Sequence, residues 1–263
     1  MTIYLFIDIL VIAAPVLLSF DKKVAFVSRW PAVFLTSLTV GAVFAAWDSL
    51  MVRAGAWGFA ERFAGPAALA GLPLAEILFF VAVPFSCLFV YEVVSTYVPE
   101  RAGRAARAPW IAAAALLAAA GAVLHPRVYT STVLVAAALF LLLAAVSSPR
   151  LLASRRFWLS IAATYVPFVA ANGPLTALPV VTYAPWAILG PRVLTIPVED
   201  FLYSFALLGS CYLVYGAHRE PLRPGLRIRR PRQETRRTTN VSSSDRAKTP
   251  KKNARWTGNR SAE

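Results

Sequence analysis

The chain has 263 residues, of which 58% are hydrophobic and only 15% are charged. Soluble domains contain about half apolar and about a quarter charged residues, so the composition excludes an ordinary soluble protein and indicates an integral membrane protein. The net charge of +14 does not indicate a nucleic-acid-binding domain, because 14 of the 27 Lys and Arg residues follow Ala217 in a polar tail. We expect this tail, residues 218–263, to be disordered and solvated near anionic lipid.

Seven apolar runs have about the length needed to cross the roughly 30 Å hydrocarbon core of a bilayer. They cover residues 2–20, 31–51, 73–97, 110–125, 130–147, 157–172 and 196–216. The first, third and fifth connections carry nine Lys and Arg residues, whereas the second, fourth and sixth carry four. The positive-inside rule therefore predicts a multi-pass cell-membrane protein with its N-terminus outside and its C-terminal tail in the cytoplasm.

The sequence also contains an internal repeat with an offset of 124 residues. Pro73 aligns with Pro197, Glu76 with Asp200, and the pair Ser86-Cys87 with Ser210-Cys211. Helices 1–3 therefore repeat as helices 5–7. Because equivalent helices are four crossings apart, they run through the membrane in the same direction, and the repeats are predicted to be parallel. The predicted fold is an all-α membrane protein with a first three-helix repeat in residues 1–98 and a second in residues 130–217. Residues 99–129 form a linker that contains the fourth helix.

Acidic residues mark the start of the third and seventh predicted helices, in Pro73-Leu74-Ala75-Glu76 and Pro197-Val198-Glu199-Asp200. Ionisable groups at membrane depth cost about 2.5–3.5 kcal/mol each on insertion scales and therefore point to function. An acid in the first turn can also serve only as a helix cap, and the residues leave that alternative open. The repeated pattern of proline, acid and aromatic residues favours a functional site.

These residues predict a site for acid chemistry near the outer face. A carboxyl group that is removed from water tends to keep its proton, so it can act as a general acid. The candidate catalytic residues are Glu76, Glu199 and Asp200. Aromatic rings three or four residues further along a helix share a face with the acid and can stabilise a cation. The candidates for orienting or binding a substrate are Asp48, Asn172, Phe79, Phe80 and Tyr203.

Motifs that are missing from the sequence narrow the chemistry further. There is no Gly-x-Gly-x-x-Gly, no Walker loop and no His-Glu-x-x-His, so we predict neither a nucleotide cofactor nor a metal. His125 and His218 stand apart, and no lysine lies in the last apolar run, which excludes a retinal Schiff base there. Trp47, Trp57 and Trp186 are interpreted as anchors at the membrane interface.

At these residues the chain resembles the small membrane carotenoid cyclases, the lycopene cyclase family, which occurs as paired subunits or fused tandem domains. The family is marked by Pro-x-Glu-(Glu/Asp) at the start of the last helix of each domain. Residues 197–200 match this motif fully, whereas the first copy has Ala75 in place of the first acid. The Gly55-x-Trp57-Gly58-Phe59 run and Asn172-Gly173-Pro174 are also similar, so that the resemblance extends over about residues 1–217.

The resemblance implies a redox-neutral isomerase of carotenoid biosynthesis, which forms β-ionone rings on lycopene and gives β-carotene through γ-carotene. It implies a lipid-soluble carotenoid and the bilayer as partners, no nucleic acid and no flavin. Association as a homo-oligomer or with other carotenoid enzymes stays open. From the residues alone, two other functions also stay open: a transporter or channel with an intramembrane acid pair, and a non-catalytic scaffold for carotenoid enzymes.

Overall fold

The fold is built from seven long helices. The computed structural model describes residues 1–101 and 103–219. Within these residues the long helices are α1 Ile3–Leu18, α2 Trp30–Arg53, α3 Leu74–Tyr97, α4 Ala108–Val123, α5 Val128–Ser147, α6 Arg155–Ala177 and α7 Val198–Arg219. Each coincides with one of the predicted apolar runs to within a few residues. The predicted α-helical class is therefore confirmed.

Four segments are long and apolar enough to cross a membrane. They are Phe26–Arg53, Leu74–Tyr97, Val128–Ser147 and Val198–Arg219. The helices α1 and α4 are also apolar but have only 16 residues each. Large apolar side chains are exposed on the outside of the bundle; Leu17, for example, is 75% exposed. Such a surface is compatible with lipid rather than with water. These features indicate a membrane protein, while seven crossings and their orientation stay predictions.

Short strands and turns connect α2 with α3 and α6 with α7. The strands are β1 Trp57–Phe59, β2 Ala67–Leu69, β3 Leu72–Pro73, β4 Val181–Tyr183, β5 Arg192–Val193 and β6 Ile196–Pro197. Single helical turns occur at Phe26–Arg29, Glu61–Ala64 and Pro149–Leu152. Strands of two or three residues leave no alternating pattern in the sequence, and none of these was predicted.

The strands pair in two ways. β2 pairs with β3, and β5 with β6, as local antiparallel hairpins. β1 and β4 come from different connections and pair with each other, also antiparallel, with Gly58 opposite Thr182. This long-range pair joins the two connections and thereby ties the first half of the chain to the second.

Each hairpin leads directly into a helix that begins with an acid. The turns contain Ala70 at φ 55° and Leu194 at φ 56°, both in the left-handed conformation. The proline that ends each hairpin has a fixed φ that suits the start of a helix. As a result Glu76 and Asp200 are each the third residue of their helix.

The third helix lies at the centre of the bundle, where it packs against α1, α2 and α6, while α7 packs against α2 and α5. The α2–α3 contact is close at Gly41, where a Cβ atom would lie 2.9 Å from the carbonyl oxygen of Phe80. That distance is shorter than van der Waals contact, so α3 reaches this position only because residue 41 has no side chain. The contact fixes the first turns of α3, which carry Glu76.

The last helix continues to Arg219, two residues beyond the predicted end of the second repeat at 217. Its end is held by Glu92 of α3, which accepts a hydrogen bond from Tyr215 at 2.8 Å and forms an ion pair with Arg219 at 3.3 Å. The rest of the predicted basic tail lies outside the described residues. The predicted domain boundaries stay predictions.

Candidate active site

A cavity of about 780 Å³ lies between α1, α3, α6 and α7. Apolar side chains, among them Leu10 and Val83, form most of its wall. Polar groups gather at the end nearest the connecting strands, where Asp48, Glu76 and Asp200 line the cavity. An apolar cavity with a few convergent polar groups is typical of a site for a small apolar molecule.

Glu76 belongs to a polar cluster formed by α1, α2, α3 and α7. The Tyr4 hydroxyl donates a hydrogen bond of 2.6 Å to Glu76 Oε2. The carboxyl group of Asp48 lies within hydrogen-bonding reach of Glu76, and the Tyr203 hydroxyl donates to Asp48 Oδ1 at 3.0 Å. A hydrogen bond between two carboxyl groups requires a proton on one of them. The pair can therefore hold a proton inside an apolar cavity.

Asp200 has a different set of partners. Tyr129 of α5 donates a hydrogen bond to Oδ1 at 2.6 Å, and Tyr183 of β4 donates to Oδ2 at 2.8 Å. Removal from water and the neighbouring Asp200 carboxylate raise the pKa of the Tyr183 hydroxyl well above its ordinary value, so this phenol remains a donor at neutral pH. Both carboxylate oxygens are thus occupied by phenol donors.

Aromatic rings surround both acid clusters. Trp57 meets Tyr129 edge to face at a centroid distance of 4.7 Å, and Tyr129 stacks on Tyr183 at 5.8 Å. Near Asp48, the Tyr203 ring lies 5.0 Å from that of Trp47. The negative faces of such rings attract a cation, so this end of the cavity suits a positively charged intermediate.

The predicted site residues divide into two groups. Six of the eight line the cavity: Asp48, Glu76, Phe79, Asn172, Asp200 and Tyr203. The other two, Phe80 and Glu199, lie outside its lining. The Phe80 side chain is 3% exposed and packs into an apolar cluster formed by α2, α3, α5 and α7.

Glu199 faces α5 and the connection before α7. Its Oε1 accepts hydrogen bonds from the Thr130 hydroxyl and from the backbone N–H of Leu189, both at 2.7 Å. Its Oε2 is buried without a hydrogen-bond partner among the described residues. Successive helix residues are about 100° apart, so Glu199 and Asp200 point in different directions from the same turn.

Three tyrosines and one tryptophan of the site were not among the predicted site residues. Tyr4 and Tyr129, each the second residue of its helix, are 125 residues apart, so an ungapped comparison at 124 does not align them. Tyr183 lies in β4, within a connection that shows no helical pattern in the sequence. The interpretation of Trp57 as an interface anchor is wrong, because its side chain is 7% exposed and lines the cavity.

The fold and the site define an α-helical membrane protein that carries carboxyl groups at one end of an apolar cavity. The model of the lycopene cyclase family matches residues 1–94 and 126–217. The chain therefore belongs to the lycopene cyclase family and is an enzyme that cyclises lycopene in carotenoid biosynthesis. No match was found among curated proteins or among solved structures.

Proposed function

We propose that this enzyme is a lycopene β-cyclase, which converts lycopene to β-carotene through γ-carotene by acid-initiated cyclisation. The observation that carries the proposal is the position of three carboxyl groups, those of Asp48, Glu76 and Asp200, at one end of an otherwise apolar cavity. An apolar wall suits the polyene, and the carboxyl groups provide for proton transfer at its terminus.

The proposed reaction consists of one proton gained and one proton lost. An acid adds a proton to the terminal double bond of lycopene and leaves a tertiary cation. The neighbouring double bond supplies the electron pair for the new ring bond, which moves the cation into the ring. A base then removes a ring proton, and the electrons of that C–H bond form the ring double bond. The product is an isomer of the substrate, so the reaction needs neither an oxidant nor a reductant, and we propose no cofactor.

Within this mechanism we assign the acid to the Asp48–Glu76 pair and the base to Asp200. The carboxyl–carboxyl contact of the pair supports a shared proton that is available for transfer. The hydrogen bonds from Tyr129 and Tyr183 support a carboxylate at Asp200, which can accept the ring proton. The two functions are thus assigned to different halves of the chain.

The remaining predicted site residues receive supporting roles. The contacts of Glu199 with α5 and the preceding connection support a positioning function, in which it fixes the first turn of α7 and hence Asp200. Phe79 and Tyr203 present rings to the cavity and are proposed to stabilise the cation. Asn172 lines the cavity and is proposed to orient the substrate end. Phe80 acts through packing.

We further propose that the enzyme is a fused tandem form, in which α1–α3 and α5–α7 are two copies of one unit. Two pairs of residues with the offset of 124, together with the family match, support the two copies. The left-handed turn residues Ala70 and Leu194 share it, and so do Gly58 and Thr182, which face each other in the β1–β4 pair. The family match also falls in two segments, one over each copy.

The proposed orientation places the N-terminus outside the cell, which puts the acid end of the cavity near the outer leaflet. Both copies of the unit lie in one chain, and the acid and the base come from different copies. The proposed partners are accordingly the bilayer and a lipid-soluble carotenoid, with no nucleic acid and no need for a second subunit to complete the site.

Expression in lycopene-producing cells tests this proposal. The wild-type chain is expected to convert the red pigment to β-carotene, and Asp200→Asn is expected to abolish conversion at an unchanged protein level. When membranes that contain the enzyme are incubated with unlabelled lycopene in D₂O, each ring should gain one deuterium, because the added proton comes from an exchangeable acid while the lost one comes from carbon. Mass spectrometry of the extracted pigment measures this.

Rings without deuterium would contradict proton-initiated cyclisation. An unchanged pigment profile, together with ion or solute flux in proteoliposomes, would instead support a transporter. Full conversion by Asp200→Asn would remove Asp200 from the mechanism, although cyclisation as such would stand.

A further inference from the structure

The cavity extends along the bundle, and the acids at one end of it are buried. It follows α3 from Glu76 to Val90, a distance of about 21 Å at 1.5 Å per helical residue. At this end Asp48, Glu76 and Asp200 are only 4%, 5% and 5% exposed, and Trp57 and Tyr4, which line the cavity with them, belong to two buried apolar clusters. The carboxyl groups are thereby shielded from water.

Most of the side walls are closed. α1 is joined to α3 by the hydrogen bond from Ser86 to the backbone oxygen of Val11, at 3.0 Å. α6 is joined to α7 by ring contacts: Phe201 lies 5.1 Å from Phe168 and 5.8 Å from Tyr165. These contacts leave the α1–α6 side as the remaining wall.

The α1–α6 side is open over the middle of the two helices. The helices pack together only sparsely, and among the described residues no side-chain hydrogen bond or aromatic pair joins them. The lining residues of these two helices include exposed ones, with Leu10 57% and Phe6 44% exposed, whereas all the lining residues of α3 and α7 are buried or half-buried. The lining residues that are exposed on this side are Phe6, Leu10 and Ala14 on α1, and Pro167, Ala170 and Pro174 on α6. We call this opening the α1–α6 portal.

We propose that the α1–α6 portal admits one end of a long apolar polyene from the bilayer, while the rest of the molecule stays in the lipid. The inference rests on the proposed function, since it deepens the description of how the same cavity receives its substrate. An extended C40 polyene reaches across roughly the whole hydrocarbon core, about 30 Å, and so exceeds the length of the cavity. An opening that faces lipid lets the excess length remain in an apolar solvent.

The portal also defines which part of the substrate is recognised. The acid cluster contacts only the end that has entered, and the far end meets no protein group. The substrate class is therefore any long polyene with one free acyclic isoprenoid end, whatever group the other end carries. Each ring requires a separate entrance, so a substrate with one ring leaves the cavity before the second ring forms.

Substitutions on the two walls of the portal test its position. Ala170→Trp and Leu10→Trp place a large ring at the opening from opposite sides, and each is expected to lower the initial rate of lycopene cyclisation in lipid nanodiscs about tenfold or more. The matched control is Ala163→Trp, because Ala163 is also an exposed alanine of α6 but does not line the cavity. It should keep the wild-type rate. Thermal unfolding in detergent checks that all three variants are folded.

A second measurement needs only the wild-type enzyme. A polyene with one acyclic end and a bulky polar fluorophore on the other should still receive a ring at its free end, as mass spectrometry would show. If lycopene is cyclised but this substrate is not, the cavity must enclose the whole molecule and the portal is wrong. Wild-type rates in both folded Trp variants would likewise overturn the portal. Failure of the wild-type enzyme to cyclise lycopene would instead overturn the proposed function.

Discussion

The residues at the start of α7 separate two kinds of buried acid. Glu199 and Asp200 are neighbours and are 3% and 5% exposed, respectively. Asp200 lines the cavity, and both of its carboxylate oxygens accept hydrogen bonds from phenols. Glu199 lies outside the cavity lining and accepts hydrogen bonds from a hydroxyl group and a backbone N–H. In the first half of the chain Ala75 stands at the position equivalent to Glu199. The acid that one half lacks is thus the one that does not face the cavity.

This difference predicts unequal effects of two amide substitutions. Glu199→Gln keeps an oxygen that can accept from Thr130 and Leu189, so the first turn of α7 should stay in place and most of the cyclase activity should remain. Asp200→Asn removes a group that accepts a proton, a role that typically contributes about 10²–10⁴-fold to the rate. Initial rates of both variants, measured at equal protein concentration, make the comparison.

A loss of activity in Glu199→Gln as large as that in Asp200→Asn would contradict the positioning role and restore Glu199 as a catalytic acid. If the loss came from misfolding, the thermal unfolding temperature of Glu199→Gln would fall in parallel. That outcome would mean that Glu199 is needed for structure rather than for proton transfer.

The sequence predicted part of this residue-level detail. The repeat paired Glu76 with Asp200 and so identified two of the three carboxyl groups that line the cavity, and Asp48 was expected to orient the substrate. The side to which Glu199 points depends on how α7 is rotated against α5, which a repeat does not define. Tyr4 lies in an apolar run and Tyr129 directly precedes one, and a tyrosine at either place carries no distinctive signal. Their role depends on the acid that each one meets across the bundle.

The α2–α3 contact at Gly41 fixes the first turns of α3 and hence the position of Glu76. We predict that Gly41→Ala lowers the stability by about 1–3 kcal/mol, because the added methyl group would press on the Phe80 backbone, which cannot rotate away. Cyclase activity should fall too, since Phe79 and Glu76 lie on the same turns of α3. Thermal unfolding in detergent, with the pigment assay in parallel, measures both effects.

The control for this prediction is Gly216→Ala in α7. A Cβ atom at residue 216 meets nothing within 4 Å. Alanine is better than glycine inside a helix by about 0.5–1 kcal/mol, so this variant should be as stable as the wild-type enzyme or more stable. Equal unfolding temperatures for the two variants would show that the α2–α3 contact tolerates a methyl group.

Helices were easier to predict than the elements between them. Apolar runs of 16 to 25 residues predicted the seven long helices of the described residues, because the lipid or the bundle interior imposes the pattern on every turn. The strands have two or three residues and are held by partners elsewhere in the chain, as with Trp57 and Tyr183 in the β1–β4 pair. Each of the two connections reads as a loop in the sequence, although the strand in it carries two residues that line the cavity, Trp57 and Phe59 in β1 and Val181 and Tyr183 in β4.

At the scale of the whole molecule, the proposed active site is shared between the halves. Asp48 and Glu76 come from the first half, whereas Tyr129, Asp200 and Tyr203 come from the second. The Tyr203–Asp48 hydrogen bond joins them directly at 3.0 Å. Neither half contains both the proposed acid and the proposed base.

A divided gene tests this arrangement. Co-expression of residues 1–103 with residues 104–263 is expected to give cyclase activity in lycopene-producing cells, since the break falls in the connection between α3 and α4. Each part alone should leave lycopene unchanged, because it lacks either Asp200 or Glu76. Pigment extracts from the three strains, compared with the intact chain, give the result. Ring formation by one part alone would contradict a shared site.

The β1–β4 pair has a consequence for the origin of the chain. Gly58 faces Thr182, and the two residues occupy the same position in the proposed copies of the unit. Antiparallel strands that meet at equivalent residues are what a two-fold axis produces when identical subunits associate. A single ancestral unit could therefore have assembled as a symmetric dimer through this strand, with two equal acid clusters facing each other. In the proposed fused chain the pair Asp48 and Tyr203 is retained, while its counterpart has become Asn172 and Phe79. The two clusters therefore no longer have the same chemistry, since the first keeps a pair of carboxyl groups and the second keeps Asp200 with its two phenol donors.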